Sequence, residues 1–371
     1  MTPAGRPAPA RWWRPLPDGR LACFLCPRRC RLRDGQRAFC FVRRRRGEEI
    51  VLDTYGRSTG FCVDPVEKKP LYHFLPGTPV LSFGTAGCNL GCRFCQNWTI
   101  SRSRDTAALS EEASPATIAA AAAGLGCAAV AFTYNDPVVF AEYAIDTARA
   151  CRAAGVATIG VTAGYVSTAA RAEFFSAFDA VNVDLKAFQD RFYRRQALSG
   201  RGGLAEVLDS LRWLRRRGGC WLELTTLLIP GLNDTTTEIA ALVDWVAGEL
   251  GPETPLHFTA FHPDWKLRDR PPTPAAILRR ARALARERGL RHVYTGNIHD
   301  PEGQSTFCAG CGCVLIEREG FRLLSWRLGP DGACPDCGKK LAGRFASRPG
   351  TWGGRRLPVD LAAFRTGRRP G

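Results

Sequence analysis

The stretch GCNLGCRFCQNWT, residues 87–99, places three cysteines, Cys88, Cys92 and Cys95, at spacings of three residues and then two. Thiolates gathered this tightly in a reducing compartment are metal ligands or catalysts rather than disulfide partners. Four would close a tetrahedral zinc site or fill an iron–sulfur cube. Three leave one coordination position open, and an open position takes a substrate or a cofactor. The stretch follows the apolar run PVLSF (79–83). It therefore reads as the loop at the C-terminal end of a strand, the functional face of a parallel barrel.

Outward from this loop the chain alternates. Strands are predicted at 79–83, 127–133, 156–162, 180–186, 220–229, 255–261 and 291–296. Between them, helical periodicity runs to Gly155, near 168–177, near 204–217, from an N-cap at Asp234 or Thr235, and at 274–288. Apolar strands alternating with helices predict an α/β fold with a parallel sheet. Six or seven units suggest a (βα)6-type TIM-like barrel, partial or full. The expected organisation is a disordered N-terminus (1–20), a Cys-rich segment (21–50), the barrel (51–300), a zinc-ribbon-like module (301–345) and a basic, poorly ordered tail (346–371).

The 371 residues hold 16 cysteines and a net charge of +17. That charge is nearly all arginine, since lysine occurs only at 68, 69, 186, 266, 339 and 340, and RRRR at 43–46 concentrates it. No aromatic-rich basic stripe accompanies it, so the arginines are assigned to solvated faces and nucleic acid is not the expected partner. No stretch reads as a membrane span or a secretory signal, which points to the cytoplasm. Cys62, Cys127, Cys151 and Cys220 are scattered, and read as small core residues.

Two further cysteine groups flank the barrel. Cys308-x2-Cys311 and Cys334-x2-Cys337, each followed by glycine, have the spacing of a zinc ribbon, with Cys313 as an extra thiol. Cys23, Cys26, Cys30 and Cys40 are spaced 2, 3 and 9. They would suit a structural zinc or a second iron–sulfur cluster, with a slight lean to zinc.

Cys-x3-Cys-x2-Cys with Phe94 before the last cysteine resembles the signature of radical S-adenosylmethionine enzymes. The resemblance implies a [4Fe-4S] cluster on Cys88, Cys92 and Cys95 and S-adenosylmethionine on its open iron. The reduced cluster would cleave the cofactor to a 5′-deoxyadenosyl radical that takes hydrogen from a substrate. FTYNDP (132–137), VDLK (183–186), FTAFHPDW (258–265) and LLIPGLND (227–234) are similar to motifs of the pyruvate formate-lyase activating enzymes. By that resemblance Asn135 and Asp136 bind the cofactor's amino group, Asp184 and Lys186 its methionyl part and ribose, His262 the ribose, and Phe94 backs the adenine. Where the family carries Asp-Thr-Asn-Gly, this chain has VTAGY (161–165), so a monovalent-cation site is not carried over.

Residues 55–101, with 23–43 and 184–194, resemble more narrowly the radical enzyme of the AmmeMemoRadiSam system, except that Asp136 stands where that group has Glu. The resemblance implies a flavodoxin or ferredoxin as electron donor and a protein substrate of the Memo-like or AMMECR1-like kind. Activation of a glycyl-radical enzyme is the next reading. RNA modification and a non-catalytic iron–sulfur/zinc redox scaffold follow.

Overall fold

The computed structural model describes residues 7–104 and 110–365. Seven strands lie parallel and in chain order: β1 Pro79–Gly84, β2 Ala129–Phe132, β3 Ala157–Thr162, β4 Ala180–Asp184, β5 Trp221–Leu228, β6 Leu256–Ala260 and β7 Val293–Gly296. Every residue of β2 and β6 is buried, as expected of parallel strands covered on both faces. Successive side chains enter two different clusters. Val80, Ala129, Ala131, Ile159 and Ala180 pack with Val66, Leu71 and Phe74 inside the curl of the sheet. Leu81, Phe83, Val130, Phe132, Val181 and Val183 pack outward in the main core shared with the helices.

Most connecting helices fall where the periodicity places them. Pro115–Gly124 is not among the predicted helices; it starts with proline and is capped by Ser114, whose Oγ accepts from Thr117 N–H. Leu204–Arg217 and Ala275–Glu287 match their predicted spans within a residue. Thr236–Trp245 is capped by Thr235, not Asp234.

Among the described residues no pairing joins β7 back to the first strand, so the parallel set stays open. The β1 edge is covered by the antiparallel strand Arg57–Pro65, and that strand in turn by Leu357–Pro358. The β7 side carries the small sheet of Thr306–Phe307, Val314–Glu319 and Arg322–Trp326. Its anchor is Arg318, fully buried, which donates to Gln304 O, Thr306 Oγ1 and Tyr72 O. Among the described residues no helix is long and apolar enough to cross a membrane.

Three expectations are corrected. Residues 7–20 are not a disordered arm: Ala8–Pro9 and Trp13–Pro15 are strands, and Ala8 and Ala10 are buried. Residues 1–6 lie outside the described residues. The basic tail is tied to the fold at several points. Gly350 N–H donates to Pro76 O, Trp352 N–H to Gly77 O, and the ring of Phe364 sits over Gly124. The last residues, 366–371, lie outside the described set.

The run RRRR is a strand, Arg43–Arg46, rather than a solvated patch. Arg43 is buried against Glu142, Arg44 pairs with Asp53, and Arg45 donates to the carbonyls of Gly47 and Gly19. The sequence pattern hides this because the carboxylate that buries Arg43 lies far along the chain and nothing in the run marks the nearer partners. A guanidinium with a carboxylate and carbonyls to satisfy it can be buried where an unpaired one cannot.

Beneath the sheet Glu223 gathers four donors: Tyr72 N–H at 3.0 Å, His73 N–H at 2.8 Å, Trp221 Nε1 at 3.0 Å and His257 Nε2 at 2.7 Å. Burial alone would raise this carboxyl, but the donors, His257 foremost, outweigh it and hold it down at about 2. A depressed carboxyl contributes stability above its ordinary pKa of about 4.3 and loses it as pH falls toward the folded value. Glu223→Gln should therefore lower the urea midpoint at neutral pH and flatten its decline below about pH 4. A variant whose acid limb is as steep as the parent's would refute the assignment.

Candidate functional site

The C-terminal ends of all seven parallel strands line one cavity of about 320 Å³. Cys88, Cys92 and Cys95 enter it from the loop after β1, Thr133 and Asp136 from β2, Thr162 from β3, Asp184 and Lys186 from β4, Thr225 from β5, Thr259 from β6 and Asn297 from β7. The sheet curls far enough to bring both ends of the open row to one mouth. A cavity of this size suits a cofactor or small ligand.

The cysteine loop is held by backbone and by one side chain. Gly91 N–H donates to Ala197 O and Arg93 N–H to Gln196 O. Asn135 Oδ1 accepts from Thr85 N–H at 3.0 Å, while its Nδ2 donates to Gly87 O at 2.7 Å and Thr85 Oγ1 at 3.1 Å. Asn135 is thus spent on the approach to the cysteines rather than left free for a ligand. Its neighbour Asp136 turns the other way. Its Oδ1 accepts from Val138 N–H and Thr162 Oγ1, and its Oδ2 from Ala163 N–H at 3.0 Å. Burial raises the Asp136 carboxyl, and these bonds partly oppose the rise. Tyr134, just before them, and Asn297 both have left-handed backbone, φ +68 and +59, an uncommon state for residues other than glycine.

Lys186 Nζ lies 2.9 Å from Asp184 Oδ2. Burial alone would depress the lysine, but Asp184 and then Cys92 outweigh it and move its pKa up, so it is a fixed cation at the mouth. Asn233 of the PGLND turn explains the lysine's placement. Its Nδ2 donates to Lys186 O and Leu227 O, and its Oδ1 accepts from Ile229 N–H, so the ends of β4 and β5 are tied together. Phe94 is buried with Ala187, Phe192 and Phe261 at the wall. His262 does not line the cavity: past Ala260 the chain turns outward and leaves the ring exposed, while Thr259 and Asn297 supply the polar groups there.

The sequence reading missed the threonines. Thr133, Thr162, Thr225 and Thr259 each stand at or near the end of a parallel strand, and the repeated Thr in AFTY, GVTA, LTTL and FTAF was the available signal. Thr225 matters most, because its buried hydroxyl has no partner within the protein, so a ligand in the cavity would satisfy it. A broader cleft of about 820 Å³ adjoins and shares Gln96, Asn97, Tyr134 and Asn297. Glu67 lines the cleft, with one oxygen accepting from Gly77 N–H and the other without a partner; burial raises its carboxyl to about 7.

The three cysteine groups differ in geometry. The sulfurs of Cys308, Cys311, Cys334 and Cys337 lie within 4.8 Å of one another. Cys313, with Cys311, Cys334 and Asp336, forms an overlapping set. No three of Cys88, Cys92 and Cys95, or of Cys23, Cys26, Cys30 and Cys40, converge so closely. Burial pushes the Cys88 thiol up and Cys92 to about 12, so loading a metal group there releases protons. Three thiols too far apart for one ion, beside a cavity with an unsatisfied hydroxyl, fit a cluster with a ligand next to it.

Two substitutions separate the roles. Thr225→Val keeps the shape and should weaken S-adenosylmethionine binding about fivefold, the worth of one hydrogen bond. Unchanged affinity by calorimetry would remove Thr225 from the site. Asn135→Asp deletes the donor to Gly87 O and should cost iron content of the loop. Full iron with weakened cofactor binding alone would instead make Asn135 a ligand contact.

Residues 83–245 match the family model described as the Radical SAM superfamily. The chain is 38% identical over 335 residues to the uncharacterized protein MJ0808 of Methanocaldococcus jannaschii, covering 90% of this chain and 98% of that one. Among solved structures, it is similar to a radical SAM methyltransferase from Sphaerobacter thermophilus, at 15% identity and TM-score 0.48, over 79% of this chain and 78% of that one. It is also similar to a domain of pyruvate-formate lyase-activating enzyme from Bacteroides vulgatus, at 15% identity and TM-score 0.39, over 46% and 99%. The family match takes in the three cysteines and the ends of β2 to β5 that build the cavity, and the chain belongs to the radical SAM superfamily.

Proposed function

We propose that this radical SAM enzyme takes a hydrogen atom from a protein partner. The observation that carries the reading is the shape of the site: the cofactor cavity opens sideways into a cleft more than twice its volume. One wall of that cleft, Glu319, Gly320 and Phe321, belongs to the C-terminal module, and Phe321 is exposed. A metabolite would need no such width, whereas a loop of a second protein would.

Cys88, Cys92 and Cys95 would hold a [4Fe-4S] cluster, which would supply the electron for reductive cleavage of S-adenosylmethionine. The chain's own residues position and shield. Asp184 and Lys186 set a fixed ion pair against the polar end of the cofactor, Thr225 offers its hydroxyl, and Phe94 forms the apolar wall. Glu67, protonated or ionised near neutral pH, can hold a donor or acceptor of the substrate at the cleft floor. The electron would come from a flavodoxin or ferredoxin.

The sequence likeness to the AmmeMemoRadiSam enzyme favours a Memo-like or AMMECR1-like protein as that partner, with glycyl-radical activation as the second reading. RNA modification loses support because Arg43, Arg44 and Arg45 are committed inside the fold. A redox scaffold would not need the cofactor cavity. The C-terminal quartet is proposed to hold zinc. Its closest sulfurs are 3.5 and 3.7 Å apart, near the roughly 3.8 Å edge of a tetrahedron with Zn–S of about 2.3 Å.

The reconstituted, reduced enzyme should form 5′-deoxyadenosine from S-adenosylmethionine, the Cys92→Ala variant none, and a Memo-like or AMMECR1-like partner should raise the rate and be altered in mass. An organic radical persisting on a glycyl-radical enzyme would establish the second reading. Product formation stimulated by tRNA, and not by protein, would overturn the first.

A further inference from the structure

The N-terminal cysteines are not accounted for by the cofactor cavity. Cys23, Cys26, Cys30 and Cys40 come from two separate stretches and line one small enclosed space together. Its remaining walls are apolar, Leu25, Ala38, Val138 and Val139, apart from Asn89 and the guanidinium-bearing Arg28 and Arg43. Apolar walls give water few partners, so this is not a site built for solvent.

The seat lies directly behind the catalytic loop. Asn89 faces the N-terminal space, while its neighbours Cys88 and Leu90 face the cofactor cavity. Arg28 Nε donates to Asn89 O at 2.5 Å. Gly87 packs so closely on Cys40 that a Cβ would stand 2.1 Å from the Cys40 carbonyl oxygen. The two cysteine groups are therefore the two sides of one strip of backbone.

Zinc and a cluster make different demands. A zinc ion draws four sulfurs to edges of roughly 3.8 Å, as the C-terminal quartet of this same chain very nearly does. No three sulfurs of the N-terminal quartet lie mutually within 4.8 Å, although all four line the same small space. In this respect the quartet is like Cys88, Cys92 and Cys95 rather than like the zinc-type group. Four thiolates on zinc or on an oxidised [4Fe-4S] cube carry the same net charge, so the flanking arginines suit either. The spacing decides.

We propose that Cys23, Cys26, Cys30 and Cys40 hold a second iron–sulfur cluster, seated back to back with the catalytic one. The test reads metal rather than activity, so it stands apart from the substrate reading above. Full-length protein is reconstituted anaerobically with iron and sulfide, desalted, and analysed for iron and zinc and by Mössbauer spectroscopy. The expected result is about eight iron and one zinc per chain. Cys88→Ala/Cys92→Ala/Cys95→Ala should keep about four iron as a cubane, and Cys26→Ala/Cys30→Ala should also fall to about four, with 5′-deoxyadenosine formation still measurable. About four iron and two zinc in the unaltered chain would overturn the proposal, whatever the variants do, because it would place zinc in the N-terminal seat.

Discussion

Two adjacent side chains at the end of β2 hold the site in register. Asn135 bonds backward into Thr85–Gly87, the approach to the cysteines, and Asp136 bonds forward into Thr162–Ala163, the end of β3. One dipeptide therefore fixes the heights of three strand ends. Both residues are nearly fully buried, where an unmet polar group is costly and a complete set of partners is stiff. The left-handed backbone of Tyr134 fits this picture: it lets two consecutive polar side chains point to opposite neighbours, and the bonds they make offset the strain. Asn233 repeats the device at β4 and β5, where it ties Lys186 to the turn after Leu227.

These buckles show where sequence reasoning worked. The seven strands and the main helices were legible because each depends on a local pattern: an apolar run covered on both faces, or a repeat near 3.6. The three cysteines were legible because ligand spacing is also local. The roles of Asn135 and Asp136 were not, since a motif that marks a position does not say whether the side chain faces a ligand or a neighbouring loop. His262 is a related case. Its strand was right, but the residue stands two past the strand end at Ala260, exposed and outside the cavity lining, and no periodicity governs such a turn. Arg43 and both chain ends were misread because their partners, Glu142 for Arg43, Val51 and Leu52 for the N-terminus, Pro76 and Gly77 for the tail, are distant in sequence.

The three cysteine groups draw a distinction that spacing alone did not. Cys-x2-Cys occurs in all of them, yet only the C-terminal sulfurs collapse onto a point. Glycine after the second cysteine lets the C-terminal knuckles fold tightly, and Gly310 N–H reaches Cys308 Sγ at 3.3 Å. The N-terminal quartet draws Cys40 from a separate turn, and Leu25, Ala38 and the valines of 138–139 prop the space open. A local repeat thus sets which atoms are present, while the elements packed around it set how far apart they stand.

An open row of strands leaves two edges of unpaired backbone, which native folds keep covered. Here the covers also line the cleft beside the cofactor cavity. The strand Arg57–Pro65 shields β1, and the segment it leads into carries Glu67, Lys68 and Lys69 to the cleft. The C-terminal module shields the β7 side through buried Arg318 and brings Glu319 to Phe321 to the opposite wall. The parallel strand ends line the cofactor cavity, while much of the wall of the adjoining cleft comes from pieces outside that row. The buckles at β2 and β4 thus set the register of the cavity, and the edge covers set much of the outline of the cleft beside it.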